Sequence, residues 1–183
     1  MIQYILLGFL NYQPMTGYDL KRALDHSTGH FWHAYHSQIY TTLRQMEKDG
    51  LVTSQFVMGE GQPDRRTYTI TEQGRETLSA WLSRPLTEAV SVKEELLVRL
   101  FFSGQRSNES ILAELTVQRE IHLQKLVEYR KMQHEMEEQA KCLPLPSLQR
   151  DSVFWMATLK MGMRYEQAYL DWLSETIQTV QSL

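Results

Sequence analysis

The stretch from Ser37 to Val52, SQIYTTLRQMEKDGLV, constrains this chain more than any other. It reads as a short amphipathic helix with a start and a stop, followed by a turn rich in Gly, Pro and Asp and then by the β-prone run RRTYTIT. Ser37 suits an N-cap, because its hydroxyl can accept from the free amides of a first helical turn. Gly50 suits the position just past a helix, where the backbone often turns left-handed. Between them Ile39, Leu43 and Met46 recur at i, i+4 and i+7 and form one inward stripe. At roughly 100° per residue, the outward face carries Ser37, Gln38, Thr41, Arg44, Gln45 and Lys48, with Tyr40 on its flank. These groups suit a DNA major groove: Arg pairs bidentately with guanine and Gln with adenine, while hydroxyls anchor phosphates. An ordinary solvated helix face carries the same groups, so the helix alone does not decide the matter.

The flanking segments narrow it. Upstream, Thr16-Gly17-Tyr18-Asp19 has the form of a capping box and opens a helix whose inward stripe is Leu20, Ala23 and Leu24. Downstream, Thr53 to Val57 and Thr67 to Ile70 are β-branched and aromatic runs, separated by Met58-Gly59-Glu60-Gly61-Gln62-Pro63-Asp64. Arg65 and Arg66 fall where this two-stranded ribbon turns back, within reach of a neighbouring DNA backbone or minor groove. Glu60 and Asp64 oppose them, and mixed charge at a hairpin tip also serves plain solubility. A helix, a sharp stop and a basic ribbon are the parts of a winged helix-turn-helix. The candidate DNA contacts are Tyr18, Lys21, Ser37, Gln38, Tyr40, Thr41, Arg44, Gln45, Lys48, Arg65 and Arg66.

TGYDLKRAL, then FW, then SQIYTTLRQMEKDGLV, then GQPDRRTYTITEQGRETL resembles the PadR family of bacterial transcriptional regulators, over about residues 2–83. The rest of the chain resembles, more loosely, the all-helical C-terminal region of the longer PadR branch. Two types within the family share particular blocks. A phenolic-acid-responsive repressor type has the FW…HSQIY block and the overall length, and a virulence-gene activator type has the wing. The resemblance implies a homodimeric DNA-binding regulator. The two types differ in the sign of regulation and in ligand use, so the effector stays open.

Charge does not advertise a nucleic-acid binder. The net charge is −3, and residues 1–83 hold seven basic against eight acidic side chains. Phosphate neutralisation supplies much of DNA affinity, so the reading requires local segregation. Lys21, Arg22, Arg44, Lys48, Arg65 and Arg66 would converge on one surface while Glu47, Asp49 and Glu72 point elsewhere. At 183 residues, with 42% hydrophobic and 22% charged residues, the composition is that of an ordinary globular protein. No apolar run approaches the ~20 residues that span a bilayer. MIQYILLGFL lacks a basic leader and a small-residue cleavage site, and reads as a first core helix rather than a signal peptide. The single cysteine, Cys142, excludes an internal disulfide framework and suits the reducing cytoplasm, where the protein is expected.

Beyond a short Pro-containing link at residues 84–90, Ser91-Val92-Lys93-Glu94 reads as a second capping box leading into EELLVRLFF, with Leu96, Leu97, Leu100 and Phe101 on an apolar face. From about Asn108 to Cys142 the chain has no Gly or Pro and reads as one long helix. Leu112, Leu115, His122, Leu126, Tyr129 and Met136 follow an a/d-like spacing, interrupted by Arg119 and Gln133. Such length predicts an arm packed along a second subunit; one arm of a self-contained hairpin is the alternative. Pro144 and Pro146 break the helix, and a last one follows from about Leu148 to Val180. It is apolar over much of its circumference, which predicts that it is sandwiched. Trp155, Tyr165, Tyr169 and Trp172 are candidates to line a pocket for a small aromatic effector; the alternative is that they simply fill a dimer core.

Catalytic signatures are missing: no Gly-rich phosphate loop, CxxC, HExxH or nucleophile elbow appears. His30, His33 and His36 invite a metal, but no matching Cys or His pair follows to complete a zinc set. No cofactor or metal is expected, and no enzymatic activity. The expected architecture is mainly α, with a winged helix-turn-helix DNA-binding domain at residues 1–83 and a long-helix dimerisation domain at 91–183. The expected function is sequence-specific regulation of transcription by a homodimer on an operator. Repression is the more economical mode and activation the alternative. A winged-helix protein–protein adaptor is the rival reading, and the near-neutral charge favours it.

Overall fold

The computed structural model describes residues 1–29, 31–59, 62–89, 93–140 and 146–183, and only the backbone at 57–59, 62–65, 146 and 147. His30, Glu60, Gly61, Ser91, Val92, Cys142 and Pro144, and the side chains of Asp64 and Arg65, lie outside the description. The chain divides into two compact units, Met1–Ala89 and Val90–Leu183.

In the first unit, α1 (Ile2–Leu10) buries Leu6, Leu7 and Leu10, against which α2 (Gly17–Ser27) sets Leu20 and Leu24. The capping box at the start of α2 forms: the Asp19 amide donates to Thr16 Oγ1 at 3.1 Å, and the Thr16 amide reaches the Asp19 carboxylate at 3.4 Å. The next helix, α3 (His36–Lys48), buries Ile39, Leu43 and Met46, the stripe its periodicity predicts. Its start differs from expectation. Tyr35 is the N-cap, and its amide donates to Gln38 Oε1 at 3.0 Å. The carboxamide three residues on thus satisfies the cap, and Ser37 lies within the first turn with its side chain exposed. The stop falls at Gly50, with φ 72°. Its amide donates to Glu47 O at 3.2 Å and that of Leu51 to Met46 O at 2.9 Å, the paired bonds of a Schellman turn. A Cβ in that left-handed conformation costs about 1–2 kcal/mol.

The sheet has three strands rather than two, in the order β1-β3-β2: β1 (Met15–Thr16), β2 (Val52–Gly59) and β3 (Gln62–Ile70). β1 is too short to read from sequence and is recruited by β3, Met15 lying opposite Tyr68. β2 and β3 form the antiparallel wing, with Ser54 opposite Tyr68 and Phe56 opposite Arg66. The unit closes with α4 (Glu72–Ser83), where Trp81 stacks on Tyr4 at 4.5 Å. Gly74 rests so near the Leu51 carbonyl that a Cβ would stand 2.2 Å from it, which makes this position intolerant of any side chain.

The second unit contains α5 (Glu95–Phe101), a 3₁₀ turn at Ser103–Gln105, α6 (Asn108–Ala140) and α7 (Pro146–Gln181). The N-cap of α5 is Glu94, and Ser91 and Val92 of the expected capping box lie outside the described residues. Of its apolar residues only Leu96 is fully buried, while Phe101 and Phe102 are exposed. Pro146 opens α7, where its missing N–H costs no helical bond. α6 and α7 pack antiparallel: Asn108 Nδ2 donates to Val180 O at 3.4 Å, and His122 Nδ1 meets Glu166 Oε2. The long helix is therefore one arm of a hairpin within its own chain. Its seam is Ile111, Leu115, His122 and Leu126, with Leu112, Tyr129 and Met136 half-buried. Two helices cannot cover each other on all sides. Val117, Ile121, Leu123 and Val127 of α6 and Val153, Phe154, Met161 and Tyr165 of α7 are left exposed, so α7 is not sandwiched by the described helices of its own unit.

Candidate nucleic-acid interface

With Ile39, Leu43 and Met46 turned inward, helical geometry presents Ser37, Gln38, Tyr40, Thr41, Arg44, Gln45 and Lys48 outward, and all seven are exposed. Among the described residues neither Arg44 nor Lys48 forms an ion pair. Gln45 Nε2 donates to Asp49 Oδ1 at 2.8 Å. Gln38 accepts the Tyr35 amide on its carbonyl oxygen, which leaves its NH2 donors out of the cap. Tyr40 lies across Gly17: a Cβ there would come within 2.5 Å of its ring. That close approach lets α2 support the tyrosine, which the sequence reading did not anticipate. Tyr18 on α2 is well exposed.

The cations are less free than their number implies. Lys21 is half-buried and ion-paired with Asp25 one turn along α2. Arg66 is held from two sides: its Nη2 donates to Glu47 Oε2 at 2.6 Å and its Nε to Ser54 Oγ at 2.8 Å. Ser54 Oγ donates in turn to the other carboxylate oxygen of Glu47 at 2.5 Å. Glu47 was expected to point away from the basic residues; instead it is the partner of one of them. The Ser54 hydroxyl and then Arg66 hold its carboxyl below the usual value, against the opposing effect of desolvation. The Arg66 guanidinium also lies 5.3 Å from the ring centre of Phe56 and 5.5 Å from that of Tyr68, a cation–π arrangement. Strand alternation places Ser54 and Phe56 on one face, but only the register of β2 against β3 brings Arg66 to them.

Of the effector candidates, Tyr165 and Tyr169 lie 5.8 Å apart and Trp172 lies 5.2 Å from Tyr169. Trp155 is ten residues from Tyr165 along α7, a separation of ~15 Å. His122 stacks on Tyr169 at 3.9 Å. The Tyr169 hydroxyl is buried with no hydrogen-bond partner among the described residues, and burial foremost pushes its pKa up to about 12. His33 and His36 are exposed.

Comparison with known proteins agrees with this architecture. Residues 6–80 match the transcriptional regulator PadR-like family, and residues 92–181 match the virulence activator alpha C-terminal family. The probable transcriptional regulator Rv1176c of Mycobacterium tuberculosis is 30% identical over 189 residues, 98% of this chain and 97% of its own. Bacillus subtilis PadR, solved in complex with operator DNA, superposes with a TM-score of 0.83 at 23% identity over 98% of each chain. The same protein in complex with p-coumaric acid gives 0.73 at 23% identity, over 98% of this chain and 95% of that one. The Vibrio cholerae virulence activator AphA gives 0.78 at 25% identity, over 100% of this chain and 99% of its own. A winged helix followed by a helical C-terminal region defines a class of transcriptional regulator, and this chain belongs to the PadR-like family within it. No helix among the described residues is long and apolar enough to cross a membrane.

Proposed function

We propose that this protein acts in the cytoplasm as a homodimer that represses transcription by occupying an operator, and that it has no catalytic role. The observation that carries the reading is the outward face of α3. Its Ser, Thr, Gln, Arg and Lys groups stand exposed on a helix held in place by a buried stripe and a Schellman stop. Two such helices related by a dimer axis would read half-sites about one to two helical turns apart. The contacts would come from Tyr18, Lys21, Ser37, Gln38, Tyr40, Thr41, Arg44, Gln45 and Lys48, with Arg65 on the wing. A small aromatic effector is supported by the cluster of Tyr165, Tyr169 and Trp172 around a hydroxyl with no partner among the described residues, and by the relative solved with p-coumaric acid. Activation is the second reading, favoured by the match of residues 92–181 to a virulence-activator family.

The test is fluorescence anisotropy with the duplex just upstream of the protein's own gene, over a salt series and against scrambled DNA. Arg44→Ala with Lys48→Ala is the appropriate variant, because Gln38→Ala would also remove the α3 cap. The wild type is expected to prefer its own duplex. The double variant is expected to lose ~10-fold or more in affinity, at a cost of about 1–3 kcal/mol for each base-contacting cation, with an unchanged melting temperature. Equal, feeble binding to both duplexes by the wild type would instead favour the adaptor.

A further inference from the structure

The three side chains linking α3 to the wing form a closed ring. Glu47 comes from the last turn of α3, Ser54 from β2 and Arg66 from β3, each bonded to the other two at 2.5–2.8 Å. Neither side of the ion pair is fully exposed: 36% of the Arg66 side chain and 31% of that of Glu47 is open to solvent. The guanidinium lies near the exposed Phe56 ring and the Tyr68 ring, and Tyr68 is itself buried in the core. A phosphate-contacting arginine keeps its fork free, whereas Arg66 turns its Nε and Nη2 back into the protein.

Resting on the DNA-binding reading above, we infer that Arg66 is a positioning residue for operator recognition rather than a phosphate contact. With Glu47 and Ser54 it forms a strut that sets the angle of the wing against α3. The strand bonds to β1 at Tyr68 and Thr67 anchor the base of the ribbon but not the part beyond it. β1 holds β3 only as far as Thr67; beyond it β2 and β3 continue as a two-stranded extension, whose mutual pairing leaves its tilt open. A charge-assisted ring with fixed fork geometry is a directional restraint, and an arginine suits it where a lysine would not. The strut determines how the β2–β3 ribbon stands when α3 is in the groove.

Two conservative variants separate positioning from contact. If Arg66 held a phosphate, Glu47→Gln would remove a repelling acid and free the guanidinium, so affinity would rise. Arg66→Lys would keep the charge and leave affinity near that of the wild type. The strut predicts the reverse for both: ~10-fold weaker binding to the upstream duplex, as expected for losing charge-assisted bonds. Binding to scrambled DNA should be little changed, and so should the slope of log affinity against log salt, which a lost phosphate contact would lower by about 0.9. Amide hydrogen exchange on the free protein supplies an independent readout. In Glu47→Gln the amides of β2 and β3 beyond Ser54 should exchange faster, while those of α1 and α2 stay protected. Wild-type affinity in both variants, or tighter binding by Glu47→Gln, overturns the inference, as does unchanged exchange in the wing. A wild type that does not discriminate its own duplex from scrambled DNA overturns the DNA reading instead, and exchange then decides the strut by itself.

Discussion

Glu47 carries opposite meanings in one dimension and in three. Beside a recognition helix an acid opposes DNA affinity, yet this carboxylate organises the wing through Ser54 and Arg66. Its lowered pKa gives the ring a pH signature. A carboxyl whose folded pKa lies below its unfolded value contributes stability above the unfolded value and loses it as pH falls through the folded one. The difference in unfolding free energy between wild type and Glu47→Gln should therefore stay constant from neutral pH to about its ordinary value of 4.5 and collapse below it. Urea unfolding of both proteins across that range checks this. A difference that persists unchanged in acid would mean that the ring contributes through packing alone.

At the scale of elements, the α6–α7 hairpin shows what periodicity conveys and what it omits. His122 occupies an a/d-like position, and its spacing predicts a buried face, which is where it lies. Its partner Glu166 is distant in sequence and is reached only because the helices run antiparallel in one register. Both residues are buried, so breaking the pair is costly and replacing it whole is not. His122→Ala should lower stability by about 3–5 kcal/mol by leaving Glu166 buried alone. The double change His122→Leu with Glu166→Leu should recover most of that loss or exceed the wild type. Denaturant midpoints of the single and double variants decide it. A double variant as unstable as the single one would show that the pair specifies packing that leucines cannot replace.

At the scale of the whole molecule, the apolar residues that the hairpin leaves open are the basis for expecting a dimer. Val117 and Val127 on α6 and Phe154 and Met161 on α7 are each more than half exposed, a cost a lone chain has no reason to sustain over so long a surface. Deleting residues 148–183 removes one arm and uncovers the α6 seam as well. The truncated protein should be monomeric or aggregated in analytical ultracentrifugation and should lose tight operator binding, because two half-sites require two linked helices. A truncated chain that sediments as a folded dimer would place the subunit contact outside α7.

By itself the sequence determined what depends on neighbours a few residues apart. The buried stripe of α3, the capping box at Thr16, the left-handed stop at Gly50 and the two ribbon strands all follow from local periodicity and backbone chemistry, and with them the winged-helix class. The tertiary structure decided what depends on which distant groups meet. It recruited β1 to the sheet, turned the long helix back onto α7, set Trp172 and His122 against Tyr169, and paired Lys21 and Arg66 with acids. A charge is written in the sequence. Whether it remains available to DNA is settled by the nearest opposite charge in space, and side-chain spacing along the chain does not encode that distance.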